Sequence, residues 1–272
     1  MKVACIQPLI FQDRSRCYLE IEQNLKELLK KCNKCEIICL PERWTPFFTD
    51  SPKNFQKERG KDYHFIKNLA KNYNVKFISG AIWERRTQLK KPIITCYFFN
   101  EKGEEIGRQD KLHLYSYERE QFESGKELKI FKLNNSNYFA ILICFDMAFF
   151  ETPRLAVENG AEILFSPTQI REDGMYNWDI YLKARALENR VPVVASNTVG
   201  HYFERNFLGK SKIISFTKGR ISPSKLKIVE GPLDSSGFIF DEVDLIFPNK
   251  LRKIRLKEKI NKDKINVKII NN

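Results

Sequence analysis

Tyr138-Phe139-Ala140-Ile141-Leu142-Ile143-Cys144 is a run of seven apolar residues that stops at Phe145-Asp146. It reads as a strongly apolar strand. A helix is expected next, starting near Thr152-Pro153, running to Glu158 and closed by Asn159-Gly160. Proline suits a first helical turn, and glycine the residue after a last one. Glu162 to Ser166 reads as strand again. Asn177 to Asn189 reads as helix, with Ile180, Ala184 and Leu187 on one face, and Val191 to Asn197 as strand. Strands alternating with helices indicate an α/β layered protein.

Working outward, the first half repeats that order. Val3 to Ile10 reads as a buried strand. Tyr18, Ile21, Leu25, Leu28, Leu29 and Cys32 recur at helical spacing, with Asp13 or Ser15 placed to cap the start. Glu36 to Leu40 is a short apolar strand stopped by Pro41. Helix is expected around Tyr63 to Tyr73, and strand from Val75 to Trp83. Ile93 to Phe99 reads as a strand ending in the turn Asn100-Glu101-Lys102-Gly103. Ile93–Phe99 and Ile213–Phe216 suggest an antiparallel contribution. No linker-like stretch divides the chain, so the sequence predicts one domain over 1–248 and a basic extension over 249–272.

The 272 residues, 42% of them hydrophobic, suffice for a sizeable core. No stretch approaches the roughly 18 apolar residues of a membrane span, and Met1 to Gln7 lacks the pattern of a signal peptide. A soluble cytoplasmic protein without a membrane partner is therefore expected. The net charge is +13, and the stretch from Lys250 to Asn272 holds nine Lys/Arg against two Asp/Glu. Such a tail is either a solvated segment or a grip on nucleic acid or an anionic membrane. No zinc finger, aromatic RNA-binding signature or Gly-rich phosphate loop accompanies it, so nucleic acid is not the expected partner. Cys32-Asn33-Lys34-Cys35 has no second such pair, and His64, His113 and His201 do not cluster in sequence. No metal site is expected.

Three polar residues stand at the ends of apolar strands. Glu42 follows Ile37-Ile38-Cys39-Leu40-Pro41, Lys111 lies in Gly107-Arg108-Gln109-Asp110-Lys111-Leu112-His113-Leu114, and Cys144 ends the opening run. A carboxylate, a fixed cation and a thiol are the parts an acyl-transfer site requires. Each alone also has an ordinary structural reading: a turn, a solvated surface group and a core residue.

Taken together, Cys39-Leu40-Pro41-Glu42, Asp110-Lys111-Leu112-His113-Leu114 and Ile143-Cys144-Phe145-Asp146 resemble the three catalytic boxes of the carbon–nitrogen hydrolase (nitrilase) superfamily, in the same order. Glu118-(x3)-Phe122-(x2)-Gly125 resembles the segment after the lysine box, and Phe149-Phe150-Glu151-(x2)-Arg154 the continuation of the cysteine box. Arg185-Ala186-Leu187-Glu188-Asn189, followed by Val193-(x3)-Asn197-(x2)-Gly200, resembles a further family run. The likeness spans about residues 1–245.

The resemblance implies an α-β-β-α sandwich, two mixed sheets face to face with helices outside. It implies Cys144 as nucleophile, Glu42 as general base, Lys111 as stabiliser of the tetrahedral intermediate and Glu118 as a second glutamate that positions substrate and Lys111. The backbone N–H of Phe145 would share the oxyanion. No metal or organic cofactor is implied. His113 competes as base and is usually structural in the family; Asp146 and Arg154 read as structural.

The expected reaction is hydrolysis of a small amide or N-carbamoyl compound, releasing ammonia or an amine. The alternatives are a nitrilase, or a non-catalytic or nucleic-acid-binding protein using its tail. True nitrilases usually carry Trp where this chain has Phe145, and Ala148 stands where the ω-amidase pattern has an arginine. Met147, with Ala148, Phe149 and Phe150, suggests a less polar pocket or a subunit contact. Trp44, Phe47 and Phe48 are placed either to line that pocket or to fill the core. The resemblance also implies a homodimer or higher homo-oligomer, paired through the helices after the cysteine box and near Arg185–Asn189. The tail, whose Ile265, Val267 and Ile269 alternate as in a strand, is expected at a subunit interface.

Overall fold

Alternate residues of the first strand, β1 (Lys2–Gln7), serve two different cores. Val3 and Cys5 pack with residues of a second sheet, whereas Ala4 and Ile6 pack under helices. A strand buried on both faces needs a continuous apolar run, which is what this one has. The same division recurs along the chain and defines the layers. The computed structural model describes residues 1–48, 51–134, 136–260 and 262–270.

In chain order β1 is followed by α1 (Arg14–Lys31), β2 (Ile37–Cys39), β3 (Gln56–Lys57), α2 (Lys61–Tyr73), β4 (Lys76–Arg85), β5 (Ile93–Phe99) and β6 (Glu105–Asp110). Then come α3 (Glu118–Gln121), β7 (Ile130–Lys132), β8 (Tyr138–Ile141), α4 (Glu151–Glu158), β9 (Ile163–Pro167), α5 (Met175–Asn189) and β10 (Val193–Ser196). The chain closes with β11 (Val199–Tyr202), β12 (Arg205–Leu208), β13 (Lys212–Phe216), β14 (Leu226–Glu230), β15 (Gly237–Glu242) and α6 (Ile246–Glu258).

The first sheet has the order β15-β1-β2-β4-β5-β6, with β3 also on β4. Its centre, β1-β2-β4, is parallel, and β15, β5 and β6 add antiparallel strands. The second sheet, β14-β13-β10-β9-β8-β7, repeats the plan with β8-β9-β10 parallel. Both sheets are therefore mixed, and the antiparallel pieces expected at Ile93–Phe99 and Ile213–Phe216 are β5 and β13.

One core lies between the sheets, joining Ile37, Ile78 and Phe98 to Phe139, Phe165 and Val194. A second puts α1 and α2 on the outer face of the first sheet through Leu25, Leu28, Ile66 and Leu69. A third puts α4 and α5 on the outer face of the second through Ala156, Val157, Trp178, Leu182 and Ala186. This is the α-β-β-α sandwich. Asp13, not Ser15, caps α1, accepting the Ser15 N–H at 2.8 Å.

Two expectations need correction. The buried stripe of α5 is Trp178, Leu182 and Ala186; Ile180 is exposed, and Ala184 and Leu187 are half-buried. The tail is not strand. Residues 246–258 form α6, whose buried Arg252 donates to the carbonyls of Asn189, Ala161 and Arg190 at 3.1–3.4 Å. Beyond it Ile265, Val267 and Ile269 are exposed and outside any strand. Asn261, Asn271 and Asn272 of the predicted extension lie outside the described residues. Among the described residues no helix is long and apolar enough to cross a membrane.

Candidate active site

Glu42 reaches its place because β4 bends. The register of β4 shifts between Ile78 and Ala81, where Gly80 adopts φ +68°. A Cβ at Gly80 would lie 2.1 Å from the Pro41 carbonyl oxygen and 2.7 Å from the Trp44 indole. Only glycine permits that bulge and that approach. The Glu42 N–H then donates to the Thr168 carbonyl at 3.0 Å, tying the segment to the second sheet.

Lys111 directly follows β6 and is fully buried. Its Nζ lies 2.7 Å from Glu42 Oε1 and 2.8 Å from Glu118 Oε2. Glu118 opens α3, and its Oε2 also accepts the Tyr115 N–H at 2.7 Å. Cys144 follows β8 with φ +48°, a left-handed conformation that is strained for a residue with a Cβ. It begins a 3-10 turn, Cys144–Ala148. From α5, Arg185 caps that turn through the carbonyls of Met147 (3.0 Å) and Ala148 (2.8 Å) and pairs with Glu188 at 3.1 Å.

Electrostatics separate the roles. Burial alone would lower the Lys111 ammonium, but Glu42, Glu118 and Cys144 outweigh it and hold it well above the usual lysine value. Burial raises the Glu118 carboxyl, against the pull of Lys111 and with help from Glu42. Burial, and then the Glu42 carboxylate, push the Cys144 thiol well up, with Lys111 opposing. A raised thiol favours the protonated sulfur, and the neighbouring Glu42 carboxylate is a group that could take its proton.

These groups face a cavity of about 400 Å³ whose wall includes Glu42, Lys111, Glu118, Cys144, Phe145 and Met147. Phe47 is also in the wall. Trp44 is not: its indole is fully buried against Tyr18 and Phe65 in the core under α1 and α2. Expected as a substrate contact, it is a core residue.

His113 does not reach this wall. Its Nδ1 lies 3.0 Å from Asp146 Oδ1, and its ring stacks on Phe149 at 4.4 Å. The sequence reading missed Tyr117, Gln169, Arg171, Asn177, Tyr202 and Phe203, all in the wall. One signal was available, because Gln169 follows the end of a parallel strand, as Glu42 and Cys144 do. Asn197, in the last family run, holds that segment through Ile170 N–H at 2.9 Å.

A family model described as carbon-nitrogen hydrolase matches residues 2–225. The chain is 34% identical over 194 residues to the probable nitrilase C965.09 of Schizosaccharomyces pombe, covering 71% of this chain and 68% of that protein. It is 27% identical over 236 residues to the 2-oxoglutaramate amidase of Bacillus subtilis, covering 84% and 87%. Among solved structures, Saccharomyces cerevisiae Nit3 superposes with a TM-score of 0.83 at 23% identity, covering 97% of both chains. The fold is thus shared with Nit3, and by the match along residues 2–225 the chain belongs to the carbon–nitrogen hydrolase family.

Proposed function

We propose that the chain is an amidase that hydrolyses a small amide through a thioester on Cys144. The observation that carries this reading is the Lys111 ammonium held 2.7 Å from Glu42 and 2.8 Å from Glu118 in a cavity shared with Cys144. Cys144 Sγ attacks the amide carbon while its proton passes to Glu42. The carbonyl oxygen becomes an oxyanion held by Lys111 and the Phe145 N–H. Losing one such donor costs about 10²–10³ in rate. Collapse expels ammonia or an amine, which takes the proton from Glu42. Water then attacks the thioester, giving a proton to Glu42, and the carboxylic acid leaves as that proton returns to the thiol. Glu118 keeps Lys111 in place.

Relatives named 2-oxoglutaramate amidase and omega-amidase support an amide rather than a nitrile. The nucleophile works only reduced, which favours the cytoplasm as its site of action. A homo-oligomer is part of the proposal: Phe150, Leu155, Tyr176 and Ile180 leave apolar surface exposed along α4 and α5, the face such a contact would cover.

The test is ammonia release from a panel of amides, N-carbamoyl amino acids and nitriles. Iodoacetamide should add mass at Cys144, and a turned-over amide should prevent it. Ammonia from nitriles alone, or none with Cys144 left unprotected, would sink the reading.

A further inference from the structure

A second cleft, of about 610 Å³, lies beside the lysine segment and shares Phe145 with the catalytic cavity. Sites that hold small molecules run from about 300 to 1,000 Å³. Its wall is divided by chemistry. Lys90, Lys91, Arg119 and Lys126 stand exposed around it. His113, Phe145 and Phe149 bring rings to it. The His113 ring stacks on Phe149 with centroids 4.4 Å apart, and Phe145 meets Phe149 edge-on at 5.1 Å.

The protein does not neutralise these four cations. Among the described residues none of them forms an ion pair. Lys91 Nζ donates to the Arg119 carbonyl at 3.4 Å, and Arg119 Nε to the Leu114 carbonyl at 3.3 Å. The ammonium groups of Lys90 and Lys126 have no hydrogen-bond partner among the described residues. Glu123 is the carboxylate in this wall, and its Oε1 is spent on the backbone N–H groups of Lys90 and Lys91 at 2.8 and 3.1 Å. Exposed cations elsewhere do find carboxylates: Arg59 pairs with Glu58 and Glu105, and Lys227 with Asp241. A concave surface lined by one sign of charge concentrates ions of the other.

We propose that this cleft is a second ligand site, separate from the catalytic cavity, for a small aromatic phosphate: a flat ring lies on the His113–Phe149 stack, and the phosphate sits among Lys90, Lys91, Arg119 and Lys126. Several separate cations suit a group with up to two charges and three acceptor oxygens. A carboxylate would be satisfied by the Arg119 fork alone. The rings supply the other half of the recognition, since a base or aryl face stacks on an aromatic platform whatever its substituents. The volume is that of one small ligand, which points to a free nucleotide rather than a nucleic-acid chain. The inference stands apart from the amidase reading, because binding is read without turnover.

The experiment titrates the full chain by calorimetry with AMP, and with adenosine and inorganic phosphate as its separate parts. AMP should bind about 10- to 100-fold tighter than either part, because each part forgoes the stacking or the charge-assisted hydrogen bonds. Lys90→Ala combined with Lys126→Ala should weaken AMP by about tenfold or more, while Cys144 reacts with iodoacetamide as in the wild type. Both lysines are exposed, so the variant keeps its fold. Phe149→Ala should weaken AMP by about tenfold. Lys264→Ala combined with Lys268→Ala, the same loss of charge in the exposed tail, should leave the affinity in place. Protein already carbamidomethylated at Cys144 should bind AMP as before. AMP bound no tighter than its parts, or weakened equally by the tail pair, would overturn the proposal. So would affinity lost on carbamidomethylation or in Arg205→Ala but kept in the Lys90/Lys126 variant, which would put AMP in the catalytic cavity. A single-stranded oligonucleotide bound more tightly than AMP through the same lysines would assign the cleft to nucleic acid and overturn the small-ligand site.

Discussion

Asp146 Oδ1 accepts the backbone N–H of His113 at 2.7 Å, joining the lysine segment to the cysteine turn. The same oxygen takes the Leu112 N–H at 3.2 Å, and Oδ2 takes the Ile143 N–H at 2.9 Å. One wholly buried carboxylate thus fixes Lys111 relative to Cys144. Asp146→Asn presents an NH₂ to a backbone N–H at one of those positions. An unsatisfied buried donor costs about 1–3 kcal/mol, so the variant should melt lower and lose kcat at the same time. His113→Ala keeps the three backbone bonds and should retain most activity. Thermal melts and steady-state kinetics check both. A dead but fully folded His113→Ala would restore histidine as a candidate base.

Cys144→Ala should abolish turnover and leave the fold intact, because it removes the proposed nucleophile and little packing. The φ of +48° adds a second expectation. A Cβ in the left-handed region costs about 1–2 kcal/mol, and glycine avoids it. Cys144→Gly should therefore be equally inactive yet melt no lower than Cys144→Ala. Cys32→Ser and Cys35→Ser, buried near the end of α1, should cost stability and leave kcat unchanged. Activity lost in the Cys32/Cys35 double variant but kept in Cys144→Ala would refute the assignment of the nucleophile.

Lys111→Arg should lose most activity although the charge survives. The fully buried ammonium sits between two carboxylates at 2.7 and 2.8 Å, and the larger planar fork cannot place its charge at the same point. Near-normal kcat in a folded variant would argue against contact with the oxyanion.

Glu118 supplies a pH prediction. Its carboxyl is raised by burial, with Lys111 opposing and Glu42 aiding. An acid raised on folding binds its proton more tightly in the native state. Its contribution to stability is therefore greatest below the ordinary glutamate value and falls as pH climbs toward the raised one. Glu118→Gln removes that slope. Melts from about pH 4 to 7 should show the difference moving in favour of the glutamine variant as pH rises, then levelling. Movement the other way would mean that pairing with Lys111 governs the glutamate. Activity should fall at every pH, since Lys111 loses an anchor.

The layered fold was legible because period-two and period-3.6 patterns are local. The site was legible in part, through residues at strand ends. What failed was direction. On α5 the stripes Ile180/Ala184/Leu187 and Trp178/Leu182/Ala186 are both apolar at helical spacing. Only packing shows that the second faces the sheet. Trp44 lies two residues from Glu42 in sequence, yet its ring faces the helices rather than the cavity. Tyr117, Arg171, Tyr202 and Phe203 come from separate loops and a hairpin, and no local pattern links them. The β4 bulge was equally invisible, since Gly80 in a strand reads only as a weak point until Pro41 is placed against it.

The C-terminal segment offers a test of assembly in which two cuts should behave differently. Removing everything after Pro248 deletes buried Leu251 and Arg252, and with Arg252 the hydrogen bonds to three carbonyls at the end of α5 and before β9. That cut should lower the melting temperature of the body itself. Removing everything after Ile260 spares α6 and deletes residues 261–272, among which Ile265, Val267, Ile269 and Ile270 are exposed. On the homo-oligomer proposal a second copy of the chain would cover these apolar side chains, with the lysines between them left solvated. If it does, the shorter cut should leave the melting temperature of the body unchanged, shift the species seen by light scattering at micromolar concentration toward monomer, and change salt-dependent binding to DNA or RNA little. A full-length chain that is already monomeric would defeat the interface proposal. Retained assembly together with lost nucleic-acid affinity would assign the tail to phosphate binding instead.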